Sequence, residues 1–165
     1  IHYAPTTEQV YEIPQLTIPP QINKMYINDL SPEKSVVKYQ VDNGIQTFVI
    51  SWRNPSKEQG VWGMDEYIAS CLEAMEAVSR ITGSKKVNVS AGCSGGQTAS
   101  VMASKLAAEK SDLLGTLTLM VCVLHPKQLD IEAGSLISEN GMKLARKRAE
   151  KKGVIKADDL ARGFA

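Results

Sequence analysis

Long apolar runs are scarce in this chain of 165 residues. The longest, Leu113 to Leu124, is too short to cross a bilayer and predicts a buried strand instead. Charge of one sign is lacking too. The net charge of +1 removes the electrostatic case for nucleic acid as the main partner. Cysteines are few and odd in number, and Cys71, Cys93 and Cys122 fall in an apparent helix, turn and strand. That pattern speaks for a reducing compartment and against a disulfide framework. No internal repeat or low-complexity tract occurs, and His2-Tyr3-Ala4-Pro5-Thr6-Thr7 has no signal-peptide character. The chain starts at Ile1, not Met, and stops at Gly163-Phe164-Ala165 within helix-like sequence, which predicts an internal piece of a larger protein. At 43% hydrophobic and 22% charged, it has the composition of a soluble globular fold with a full core. No metal site and no cofactor are expected.

What is present centres on Val87-Asn88-Val89-Ser90-Ala91-Gly92-Cys93-Ser94-Gly95-Gly96. A β-branched run enters a cluster of small residues and leaves through Gln97-Thr98-Ala99-Ser100-Val101-Met102-Ala103, which suits a helix. This is the outline of a nucleophile elbow, the strained strand-to-helix turn of α/β-hydrolases. Small residues are needed because the strand and helix backbones approach closely there. Two registers compete. Gly92-Cys93-Ser94-Gly95-Gly96 makes Ser94 the nucleophile, whereas Ala91-Gly92-Cys93-Ser94-Gly95 makes it Cys93, with Ala91 where the pattern wants Gly. The pattern alone does not choose. A thiol suits a thioester acyl donor, since thiol-for-thiol exchange is nearly energy-neutral, and a helix N-terminus favours a thiolate. The bland alternative is an inert cysteine in a Gly-rich turn.

Strands and helices alternate around this turn. Gln15-Leu16-Thr17-Ile18 reads as a strand ending at Pro19-Pro20. Ser31 with Pro32 predicts a helix start, running to about Asn43 and stopped by Gly44. Gln46 to Trp52 reads as a strand buried on both faces. A helix is expected from Met64 to about Ile81, with Ile68, Leu72, Met75 and Val78 on its apolar stripe and Gly83 at its end. Four strands with three helices predict a parallel sheet with crossover helices, an α/β fold. Its ligands belong at the carboxyl ends of the strands. Ile22, Asn23, Arg53, Asn54, Cys93 and His125 all follow predicted strand ends and so share that edge. Residues 1–130 are expected to form the sheet domain and 131–165 the start of a helical lid. Within the latter, Gly141 to Lys152 is a basic helix that reads best as a solvated face.

Three blocks resemble polyhydroxyalkanoate synthases in order and spacing: Pro19 to Leu30, Ser51-Trp52-Arg53-Asn54-Pro55, and Gly92-Cys93-Ser94-Gly95-Gly96. Gln21 and Cys93-Ser94-Gly95-Gly96 are closer to the class II, medium-chain-length enzymes. The resemblance implies an α/β-hydrolase-like core, incomplete here because later strands and the lid are missing. It implies an acyltransferase that polymerises (R)-3-hydroxyacyl-CoA, releases CoA and carries the growing polyester chain as a thioester on Cys93. It also implies a base histidine and a partner aspartate beyond Ala165, a homodimer, and a cytoplasmic location on the surface of polyester granules. The isolated segment is therefore expected to be inactive, and poorly folded because the sheet edge is uncovered. Ala91 departs from the family's usual Gly, and His125 stands where it usually has Asp.

The oxyanion donors expected from this fold are the backbone N–H groups of Ser94 and Ile22, with Gln21 as second choice. The alternative for Pro19 to Asn23 is a rigid exit from the strand. Asn23, Arg53 and His125 are candidate substrate contacts, Arg53 through a CoA phosphate, although a structural ion pair accounts better for that arginine. His125 as the base of Cys93 conflicts with the hydrolase order, in which the histidine comes last. Cys71 and Cys122 are expected in the core. Two rival readings remain: a Ser94-dependent esterase or depolymerase, and a catalytically silent granule-binding domain.

Overall fold

A computed structural model describes residues 1–125 and 139–154. It divides into two compact units, Ile1–Trp52 with Gly63–Val123, and Arg53–Trp62 with Leu124–Ala165. The candidate lid is thus described only in part, and residues 131–138 and 155–165 lie outside the described residues.

The first unit is built on a sheet of strands β1 (His2–Tyr3), β2 (Gln15–Ile18), β5 (Thr47–Val49), β6 (Val87–Gly92) and β7 (Leu114–Met120). Their order is β1-β5-β2-β6-β7. The last four run parallel, so the expected parallel sheet is present. A fifth strand escaped the sequence reading: β1 pairs antiparallel with β5, His2 opposite Phe48. Two residues are too few to show a period, and β1 exists only through its partner, with the His2 ring stacked on Phe48 at 4.3 Å.

The central strands read as apolar runs because both their faces are covered. Leu16, Ile18, Val87, Val89 and Ala91 are all buried. Against them pack helix α2 (Met64–Thr82), through Ile68, Cys71, Met75 and Val78, and helix α3 (Ser94–Ala108), through Ala99, Met102 and Leu106. Spacings of three and four residues put each set on one stripe. Glu66 accepts the Gly63 N–H at 2.6 Å at the start of α2, and Gly83 ends that helix in the left-handed region at φ 72°.

Two expectations require correction. The helix expected from Ser31 begins later: Asp29–Ser31 (β3) and Lys34–Ser35 (β4) form a hairpin, and α1 spans only Val36–Asp42. Pro32 sits in the hairpin turn, whose first corner wants the same fixed φ as a helix start, so its signal was ambiguous. The cap is Ser35, whose hydroxyl accepts the Lys38 N–H at 2.8 Å. The apolar run Leu113 to Leu124 is likewise not a buried strand. Among the described residues it pairs with β6 alone, its residues are half-buried or exposed, and pairing ends at Met120, before Val121 with φ 44°. A strand with no described neighbour on its outer side has nothing to cover it there.

The second unit holds a short 3-10 turn, Lys57–Gln59, and helix α4 (Glu139–Lys152), which carries the basic run. Gly60 lies against the backbone of Gly153, close enough to leave no room for a side chain.

Candidate active site

Cys93 follows the last residue of β6 and occupies the N-cap of α3. Its backbone is at φ 51°, ψ −123°, a conformation that costs a non-glycine residue about 1–3 kcal/mol. The distortion is held from both sides. The Cys93 N–H donates to the Met120 carbonyl on β7 at 3.1 Å, and the Cys93 carbonyl accepts the N–H groups of Gly96 at 3.0 Å and Gln97 at 3.4 Å. The side chain is exposed. Ser94, by contrast, is the first ordinary helical residue, so the strained position of the elbow belongs to Cys93.

The glycines explain the close approach. A Cβ on Gly95 would sit 2.5 Å from the Ile18 carbonyl oxygen and 2.6 Å from that of Pro19. One on Gly96 would lie 2.6 Å from the Cys122 sulfur. The first turn of α3 is therefore pressed against the exit of β2 on one side and the segment after β7 on the other. Ala91, the departure from the elbow pattern, is wholly buried between Ile18 and Leu119 in the sheet register, where a methyl group is accommodated.

The exit of β2 is tied to this turn. The Gln21 N–H donates to the Ser94 hydroxyl at 3.2 Å, and the Gln21 side-chain amide donates to the Thr98 hydroxyl at 2.9 Å. The Thr98 hydroxyl in turn donates to the Ser94 carbonyl at 3.3 Å. The Trp52 indole N–H donates to the Pro19 carbonyl at 2.7 Å. A turn then closes with the Lys24 N–H on the Pro20 carbonyl at 2.9 Å, Lys24 itself being at φ 61°. Partial burial lowers the Lys24 ammonium pKa.

These bonds sort the oxyanion candidates. The Gln21 N–H is occupied by the Ser94 hydroxyl, which removes the second choice. The N–H groups of Ile22 and Ser94 make no hydrogen bond among the described residues, and they follow or belong to the two residues joined by that bond. Asn23, exposed, stands on the same exit. Arg53 and His125 belong to the other unit. Both are exposed, and Arg53 makes no ion pair among the described residues, so the structural pairing expected for it is not seen there.

Of the remaining cysteines, Cys71 is core as expected, and burial pushes its thiol pKa up to about 12. Cys122 is not core. It is half-buried beside Gly96, and its thiol is raised first by desolvation and then by the neighbouring Cys93. Sequence reasoning placed it on a buried strand because it took the apolar run as one element. Among the described residues no group of His, Cys, Asp and Glu side chains is arranged to hold a metal ion, and no helix is long and apolar enough to cross a membrane.

A mixed, mainly parallel sheet packed by helices, with a strained exposed residue between strand and helix, defines the α/β-hydrolase fold and its elbow. A lipase-like protein of Sulfolobus solfataricus has a similar solved structure, with TM-score 0.52 and 20% identity over 64% of this chain and 36% of that one. At that identity the likeness speaks for the fold alone. Residues 1–40 match the family described as poly-beta-hydroxybutyrate polymerase (PhaC) N-terminus. Over the whole chain the sequence is 42% identical to poly(3-hydroxyalkanoate) polymerase 1 and 35% identical to polymerase 2 of Ectopseudomonas oleovorans. Over 75% of the chain it is 38% identical to the poly(3-hydroxyalkanoate) polymerase subunit PhaC of Cupriavidus necator. The chain is thus similar to poly(3-hydroxyalkanoate) polymerases, and it spans 29%, 30% and 21% of the length of these three relatives.

Proposed function

We propose that this chain supplies the nucleophile and oxyanion donors of an acyltransferase that polymerises (R)-3-hydroxyacyl-CoA. The observation that carries the reading is the exposed Cys93 at φ 51°, ψ −123° on the N-cap of α3. Its thiolate attacks the thioester carbonyl of the substrate, and the oxyanion is received by the N–H groups of Ser94 and Ile22. Collapse of the tetrahedral species expels CoA as its thiolate and leaves a thioester on Cys93. The hydroxyl of a hydroxyacyl unit then attacks that thioester and passes its proton to a base, so that the ester bond forms as the acyl–sulfur bond breaks and the Cys93 thiolate is released. The family resemblance implies that this base is a histidine assisted by an aspartate, and neither is assigned to a residue of this segment. The segment alone is accordingly expected to be inactive. A homodimer at the surface of cytoplasmic polyester granules is the working unit that the resemblance implies.

Ser94 is the weaker nucleophile candidate on this geometry. Its hydroxyl accepts the Gln21 N–H, and its backbone is that of an ordinary helical residue. The test is CoA release from (R)-3-hydroxydecanoyl-CoA by the full-length protein, beside its Cys93→Ala and Ser94→Ala variants. Loss of release in Cys93→Ala, with some retained in Ser94→Ala, is the expected result. Release that survives removal of the thiol would move the chemistry to Ser94, and no release from any form would favour a silent granule-binding domain.

A further inference from the structure

We propose that Gln21 and Thr98 are positioning residues that hold the two oxyanion N–H groups at a fixed separation. The inference rests on the polymerase reading above and names what keeps that site in register. The two donors come from different elements, Ile22 from the exit of β2 and Ser94 from the first turn of α3. Nothing in the chain's covalent order fixes their distance, because 72 positions separate Ile22 from Ser94.

Gln21 bridges that gap twice. Its backbone N–H reaches the Ser94 hydroxyl at 3.2 Å, and its side-chain amide reaches Thr98, one turn along α3, at 2.9 Å. Thr98 passes the connection back to the Ser94 carbonyl at 3.3 Å. Two of these three bonds end on Ser94, whose N–H is one oxyanion donor, and two issue from Gln21, the neighbour of the residue whose N–H is the other.

The chemistry of the bridge argues against simple packing. Thr98 is 2% exposed, and the amide oxygen of Gln21 is buried without a hydrogen-bond partner among the described residues. A buried amide with an unmet acceptor is a costly way to fill space that a leucine could occupy. What only the amide supplies is the donor to Thr98. The Ser94 hydroxyl, on the same account, serves as an acceptor that anchors the exit of β2.

The test uses Thr98→Val, Thr98→Ser and Gln21→Leu in the full-length protein, with kcat and KM for CoA release and the Tm of each. Valine keeps the shape of Thr98 and removes only its hydroxyl. Thr98→Val is expected to lower kcat by about tenfold with KM little changed, since small misplacements of reacting groups act on rate, and to lower Tm modestly because the Gln21 amide loses its acceptor. Thr98→Ser, which retains the hydroxyl, should stay near wild type. Gln21→Leu should lower kcat in the same direction, and the double variant should be no worse than Thr98→Val alone, because both remove the Gln21–Thr98 bond and Thr98→Val already removes the bond to the Ser94 carbonyl as well. Wild-type kcat in Thr98→Val, equal losses in Thr98→Val and Thr98→Ser, or losses that multiply in the double variant would each overturn the proposal. Failure of the polymerase reading looks different: CoA release persists in Cys93→Ala or is absent from the wild type, and the oxyanion assignment falls with it.

Discussion

One methyl group added at Gly95 is expected to damage this protein far more than one added at Gly92, three residues away. At Gly95 the new Cβ would lie 2.5 Å from the Ile18 oxygen, 2.6 Å from the Pro19 oxygen and 2.8 Å from the Pro19 carbonyl carbon. All three are main-chain atoms, so no side chain can rotate away. Ordinary contact begins near 3.4 Å, and the first turn of α3 must retreat by roughly 0.9 Å to reach it. That retreat would carry the Ser94 hydroxyl, 3.2 Å from the Gln21 nitrogen, beyond hydrogen-bonding reach. Overpacking of this kind costs about 1–3 kcal/mol. In a domain of this size that is a fall in Tm of about 3–10 °C. Misplacement of the proposed oxyanion donors by about 1 Å should cost on the order of 100-fold in rate. At Gly92 the nearest atom to a new Cβ is the Met120 oxygen at 4.0 Å, so that variant should stay within about 0.5 kcal/mol of wild type. Thermal denaturation and CoA release, measured side by side on Gly95→Ala and Gly92→Ala in the full-length protein, decide the matter. If the two variants behave alike in both assays, the close approach of α3 to the β2 exit does not govern the site.

Two further predictions concern the titrating groups. Iodoacetamide at mildly alkaline pH should modify exposed Cys93 first, half-buried Cys122 more slowly and Cys71 hardly at all, as read by mass spectrometry of the native protein. Equal labelling of Cys71 would contradict its burial on the core-facing stripe of α2. The Glu66 carboxyl is held below its ordinary range by the Gly63 N–H, and a pKa lowered on folding stabilises the native state at neutral pH. That contribution is lost as pH falls through and below the ordinary glutamate range, so the Tm gap between wild type and Glu66→Gln should close on acidification. A gap that persists unchanged at low pH would show that the cap does not depend on the charge.

The sequence alone was enough for the alternation of strands and helices, the apolar stripe of α2 and the elbow motif. Each of these depends on local periodicity or on glycines at short spacing. The polymerase resemblance was also legible, because Pro19 to Leu30, Ser51 to Pro55 and Gly92 to Gly96 carry it in linear order. Other features needed tertiary contacts. Pro32 serves a hairpin turn as well as a helix start, and only the pairing of Asp29 with Ser35 decided between them. The apolar run ending at Leu124 looks buried in one dimension, yet a strand paired on one side stays half exposed, and this moved Cys122 from core to the flank of Gly96. Motif registers left Cys93 and Ser94 equivalent, whereas the backbone put the strained turn on Cys93 and engaged the Ser94 hydroxyl with Gln21. The bonds from Gln21 to Ser94 and Thr98 span 73 and 77 positions. Residue types announce what chemistry a position can do, but a hydrogen bond across that separation exists only once parallel strands bring their carboxyl ends to one edge.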